Sequence, residues 1–181
     1  MMETLVRRIA QHDQKAMSEL YHQCAGWLSS VCRRYMPDES DAKDVLQNAF
    51  VKIFTSLPTF EYRDELSFRA WMRRIVVNES LRFLQEAHQL QFSSLDESVT
   101  NTVSDDSAPD ADALTPDQLH HLIGLLPDGY RTVLNLFVFE GQSHRQIAQQ
   151  LGITESTSAS QLFHAKQLLA KYIKELLKQK P

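Results

Sequence analysis

Short polar side chains gather near the C-terminal end of the chain: Glu155, Ser156, Thr157, Ser160 and Gln161. Hydroxyls and amides of this kind exchange hydrogen bonds with DNA base edges, and a Gln paired with adenine discriminates by about 1–3 kcal/mol. Residues suited to making or breaking bonds are not arranged to do so. Asp41 and Asp44 have no partner base, and the neighbours His120 and His121 point apart on a helix with no cysteine nearby to complete a zinc site. Cys24 and Cys32, eight residues apart on one apparent helix, read as small core residues rather than a disulfide framework or a Cys-x-x-Cys pair. There is no Gly-rich phosphate loop, no spaced set of metal ligands and no supported Ser–His–Asp set. Neither catalysis nor a metal nor a cofactor is expected, and the chemistry on offer is recognition.

The polar cluster needs a scaffold, and residues 143–171, SHRQIAQQLGITESTSASQLFHAKQLLAK, describe one. Ile147, Ala148 and Leu151 form the apolar stripe of a short first helix. Gly152 can take the backbone angles that end it. Thr154 follows as an N-cap, with Glu155 in a first turn where the helix dipole favours an anion. Leu162, Ala165, Leu169, Ile173 and Leu176 recur at three- and four-residue spacing and predict one buried face of a second helix. The pattern is that of a helix-turn-helix whose second helix enters a major groove. An ordinary helical hairpin with a polar face is the alternative.

Around this motif the 181 residues, 43% of them hydrophobic, suffice for one or two small cores. No apolar run reaches membrane-span length and the first residues carry no signal-peptide core, so a cytoplasmic protein without membrane insertion is expected. The net charge of −4 is unevenly spread: zero over residues 1–88, −7 over 89–117 and +3 over 118–181. The acidic stretch, rich in Ser, Thr and Asp with little apolar surface, cannot offset its ordering entropy and predicts a flexible linker. The expected fold is all-α: two small helical domains, residues 1–92 and 117–181, joined by an acidic linker at 93–116. With few cations in the helix-turn-helix half, DNA affinity by itself should be weak, which implies a partner that helps hold the DNA.

In the first domain Val45, Leu46, Ala49, Phe50, Ile53, Phe54 and Leu57 predict a helix over 40–57, stopped by Pro58. After the loop TFEYRDELS a second helix is predicted over 67–88, with Phe68, Trp71, Ile75, Leu81 and Leu84 as its apolar positions. Arg69, Arg73, Arg74 and Arg82 interleave with them. Aromatics that stack on exposed bases and arginines that hold phosphates suit single-stranded nucleic acid. From local pattern alone, the simpler reading is that Phe68 and Trp71 are core residues.

Four segments together carry a family resemblance: DAKDVLQNAFVKIF (41–54), FEYRDELSFRAWMRRIVVN (60–78), LPDGYRTVLNLFVFEGQSHRQIAQQLGIT (126–154) and TSASQLFHAKQLL (157–169). In this order, across an acidic linker of this length, the chain resembles a bacterial RNA polymerase sigma factor of the sigma-70 family, in its extracytoplasmic-function (ECF) group. The resemblance implies that Asp41, Asp44, Gln47 and Asn48 dock on core RNA polymerase, with Asn48 standing where the family usually has Glu. It implies that Phe60, Tyr62, Arg63, Phe68, Trp71, Arg74, Asn78 and Arg82 recognise and open the promoter −10 element, turning a base out of the stack. It implies that Arg145, Thr154, Glu155, Ser156, Thr157, Ser160, Gln161, His164 and Lys166 read the duplex −35 element. An anti-sigma factor is an expected partner.

Two departures from the family pattern stand out. Ala159 occupies a place usually held by Lys or Arg, and the basic run after the −10 helix is here FLQEAHQLQ. Weaker, more salt-sensitive promoter binding is expected, with more reliance on polymerase to place both domains. The rival is a stand-alone helix-turn-helix regulator with a helical sensor domain. It would bind duplex DNA without polymerase and would not need the DVLQNAF and FEYR segments.

Overall fold

The computed structural model describes residues 2–87 and 114–178, all helical or in short connections. The linker expected at 93–116 lies almost wholly outside the described residues. The chain divides into two compact units, Met1–His88 and Gln89–Pro181.

The first unit holds α1 (Met2–Ala10), α2 (Gln14–Tyr35), α3 (Glu39–Ser56) and α4 (Glu65–Ala87), with a single 3₁₀ turn at Leu57–Thr59 after α3. Aspartates start three of these helices. Asp13 accepts from the amides of Lys15 and Ala16, Asp38 from those of Ser40 and Asp41, and Asp64 from that of Ser67 at 2.7 Å. Each fills first-turn donors that would otherwise be unpaired, and each places a negative charge at the positive end of a dipole. The Ala16 amide bond and Arg8 hold the Asp13 carboxyl below its usual range, and the Ser67 hydroxyl and amide do the same for Asp64. Helices α2, α3 and α4 pack against one another, and α1 lies on α2 and the 3₁₀ turn. Leu20, Leu28, Tyr35, Ile53, Phe68, Met72 and Leu84 fill the centre. Cys24 and Cys32 are free and buried, as expected of core residues, and burial pushes the Cys32 thiol up to about 12.

The inner stripe of α4 differs from the expected one. Phe68, Met72, Val76, Val77, Leu81 and Leu84 are buried, whereas Trp71 and Ile75 sit at the flank, half-buried. Beside this stripe Glu79, only 4% exposed, receives Lys52 from α3 and Arg82 from the next turn of α4, the latter at 2.8 Å. A carboxylate that deep is tolerable because two cations meet it.

The second unit holds α5 (Pro116–Gly124), α6 (Asp128–Leu134), a π-helical turn (Asn135–Phe139), α7 (His144–Leu151) and α8 (Glu155–Lys178). Thr115 and Ser143 head α5 and α7 with reciprocal capping boxes to Gln118 and Gln146. Arg131 is 3% exposed: it donates to the carbonyls of Leu126 (2.6 Å) and Gly124 (3.3 Å) and pairs with Asp128, stitching the end of α5 to α6. Helix α8 is the axis of the unit, with α5, α6 and α7 all packed on it. The turn between α7 and α8 follows the expected chemistry. Gly152 adopts φ 69°, ψ 32°, its amide donates to the Ala148 carbonyl, and the Thr157 amide donates to the Thr154 hydroxyl at 3.0 Å.

Candidate nucleic-acid interface

On α3 the side chains of Asp44, Gln47 and Asn48 are exposed and Asp41 is half-exposed. Spacings of three and four residues put them on one face, opposite the buried Ala42, Val45, Leu46, Ala49 and Ile53. Val51, 61% exposed, extends this face by one turn beyond Gln47. The four-residue spacing from Gln47 is the sequence signal for this placement, against the general tendency of a Val to be buried.

A second surface joins the connection after α3 to the outer side of α4. Phe60 lies over Trp71 with ring centroids 4.5 Å apart, and both touch the Phe68 ring, at 5.5 and 5.7 Å. Tyr62 meets Phe68 from the other side at 5.9 Å, and desolvation with the nearby Glu65, Glu3 and Asp64 raises the Tyr62 hydroxyl above its ordinary pKa. Phe68 itself is 0% exposed, which corrects its expected place among base-contacting residues. It is the floor of the aromatic cluster, because its position on the inner stripe turns the ring toward α2 and α3. Phe60, Tyr62 and Trp71 remain half-exposed above it. Arg63, Arg74, Asn78 and Arg82 are exposed, and Trp71, Arg74, Asn78 and Arg82 follow one another at three- and four-residue steps along α4. Rings, an amide and guanidinium groups thus share one strip, with the Arg82 end anchored by Glu79.

The third surface is the start of α8 with the adjoining part of α7. Arg145, Glu155, Ser156, Ser160 and Lys166 are exposed. Thr154 and Thr157 are occupied with each other, their hydroxyls 2.8 Å apart at the cap. Gln161 and His164 are 3% and 6% exposed, and this corrects both as base-reading residues. Gln161 lies on the inner stripe with Ser158, Leu162 and Ala165, and the His164 ring stacks on Tyr130 of α6 with centroids 5.9 Å apart. Ser158, outside the set expected from the sequence, is fully buried; its hydroxyl lies 2.9 Å from His144 Nδ1 and ties the two helices of the motif together. His144 in turn stacks on Phe137 at 4.8 Å, and the Lys166 ammonium lies 5.8 Å from the same ring.

The first unit carries an exposed polar face and a half-exposed aromatic shelf, and the second a capped helix-turn-helix with exposed short polar side chains. Among the described residues no group of three or more His, Cys, Asp or Glu could hold a metal ion, and no helix is long and apolar enough to cross a membrane. Residues 20–89 match the family model for sigma-70 region 2, and residues 117–169 that for sigma-70 region 4. The RNA polymerase sigma-H factor of Pseudomonas aeruginosa is 27% identical, with 98% of this chain and 96% of that protein covered. The ECF RNA polymerase sigma-E factor of Haemophilus influenzae is 24% identical, with 97% and 96% covered. A solved structure of the sigma factor RpoE with the anti-sigma factor NepR from Bartonella quintana is similar over 92% of this chain and 99% of that one, at 18% identity and a TM-score of 0.47. The chain belongs to the sigma-70 family, in the ECF group of RNA polymerase sigma factors. The region 2 match falls on α2–α4, where a stand-alone regulator would carry a sensor, and that rival is not favoured.

Proposed function

We propose that this chain is a dissociable specificity subunit that binds core RNA polymerase, directs it to promoters and helps open them, with no active site of its own. The observation that carries this reading is the pair of region matches, in order, one on each of the two units. Asp44, Gln47 and Asn48, flanked by Asp41 and Val51, are the docking face for core polymerase. The Phe60–Trp71 pair with Tyr62 offers a flat apolar shelf for a base turned out of the −10 duplex, where each base–ring stack contributes about 1–3 kcal/mol. Arg63, Arg74 and Arg82 stand along the same strip for phosphates, and Asn78 can read a base edge. On the −35 duplex, Ser156 and Ser160 face the groove while Arg145 and Lys166 reach the backbone. An anti-sigma factor that covers these faces is the expected inhibitor, and the chain acts with polymerase in the cytoplasm.

Run-off transcription from a genomic DNA library, with core polymerase in the presence and absence of the chain, tests the reading. New start sites sharing two spaced upstream elements are expected. No new start sites, together with tight duplex binding by the chain alone, would transfer it to the stand-alone regulators.

A further inference from the structure

The reading face of α8 is less polar than its residue types suggest. With Gln161 and His164 turned inward, the exposed residues over its first three turns include Ser156, Ala159, Ser160 and Phe163. At about 100° per residue, Ser156, Ser160 and Phe163 fall within roughly 60° of one another, whereas Gln161 points about 160° away from Phe163. Phe163 is therefore central to the exposed face, and it is 57% exposed. Its ring meets the His164 ring edge-on with centroids 5.5 Å apart, and His164 is itself stacked on Tyr130 in the core. From Ser156 to Phe163 the helix advances about 10 Å, within a major groove about 12 Å wide.

We infer that Phe163, with the Ala159 methyl beside it, reads the 5-methyl groups of thymine in the duplex −35 element. This rests on the placement of α8 in that element. The thymine methyl is the apolar feature of the major-groove edge, and phenyl and alanyl groups are its fitting partners. Burying the ring against a thymine methyl removes apolar surface from water, and a base without the methyl loses that contribution. Ala159, exposed one turn before Phe163 on the same face, widens the apolar patch. The chain thus favours thymine where hydrogen bonding alone would tolerate other bases.

The test uses holoenzyme assembled from core polymerase and the full chain. A promoter library randomised across the −35 region is selected for binding, and each thymine of the enriched sequence is then replaced singly by deoxyuridine, which lacks only the methyl group. At one or more positions binding should weaken about fourfold per methyl removed. Phe163→Ser should abolish that sensitivity and Phe163→Leu should keep part of it. An enriched −35 element in which deoxyuridine is neutral everywhere, or costs Phe163→Ser as much as the parent, overturns the inference and leaves the −35 reading standing. No enriched upstream element overturns both. A neutral deoxyuridine scan combined with weaker core binding by Phe163→Ser would reassign the ring to a protein contact.

Discussion

Two glycines make opposite predictions from the same substitution. A Cβ added at Gly26, in the middle of α2, or at Gly152, between α7 and α8, meets no atom within 4 Å. Sterics therefore cannot separate them, and only the backbone can. Gly26 is helical, where Gly is less favourable than Ala by about 0.5–1 kcal/mol, so Gly26→Ala should stabilise the first unit by that amount. Gly152 sits at φ 69°, where a residue with a Cβ is penalised by about 1–2 kcal/mol. The smaller entropy of the unfolded Ala chain returns about 0.4–1 kcal/mol, leaving a net loss of about 1 kcal/mol. The two units can be followed separately in the intact protein. Both tryptophans, Trp27 and Trp71, lie in the first unit, so their fluorescence in a urea titration reports that unit alone. Amide hydrogen exchange across α7 and α8 reports the second, where 1 kcal/mol appears as roughly fivefold faster exchange through the cooperative opening. Unchanged or slower exchange in Gly152→Ala, or an earlier fluorescence transition in Gly26→Ala, would refute the backbone argument.

Joint replacement of Asp44 and Gln47 by Ala should weaken association with core polymerase by roughly tenfold or more, as two interface polar contacts are lost; unchanged affinity in a titration would remove α3 from the docking face. Asn78→Ala should lower open-complex formation while core binding persists, and permanganate reactivity of the −10 thymines is the readout; undiminished melting would exclude Asn78 from that step. In the native chain Cys32 should resist alkylation by iodoacetamide and react once the chain is unfolded. Its thiol is raised to about 12 from 9.0, so the neutral form favours the fold: this contribution is complete below pH 9 and is lost as pH climbs toward 12. Alkylation of the folded chain at Cys32 at neutral pH would contradict the burial. With Arg145 and Lys166 as the exposed cations beside the reading face, duplex −35 affinity of the chain should fall with a log–log salt slope of about −2; a slope beyond about −4 would reveal phosphate contacts elsewhere.

The shallow slope for the duplex contact differs from the salt-sensitive promoter binding that Ala159 and the FLQEAHQLQ segment suggest by departing from the family pattern. Few cations do weaken DNA binding, but they also release few counterions, so the salt dependence is shallow rather than steep. Other parts of the molecule were legible because they depend on chemistry a few residues long: the Gly152 turn, the Thr154 cap, the two buried cysteines, the helix stopped at Pro58. The inner stripe of α4 was harder. Trp71 and Met72 are both apolar and adjacent, so two overlapping stripes fit the sequence, and only packing against α2 and α3 selects the one through Phe68, Met72 and Val76. Polarity alone places Gln161 outside, yet it shares a stripe with Leu162 and Ala165. The π turn at Asn135–Phe139 leaves no signature in NLFVF, since one extra residue per turn is a property of the folded backbone. Burial of Glu79 depends on Lys52, twenty-seven residues away.

The helix caps also bear on how the chain comes into being. Asp13, Asp38, Asp64, Thr115, Ser143 and Thr154 each bind an amide no more than three residues downstream. These bonds need no distant part of the protein, so six helix starts can be marked as soon as the next turn leaves the ribosome. At about 5–20 residues per second the first unit has several seconds or less, depending on the rate, between the emergence of α4 and that of α5. Microseconds suffice for helices and far less than a second for a small helical bundle. The surface expected to meet polymerase should therefore be assembled on the nascent chain before the −35 reader has been synthesised.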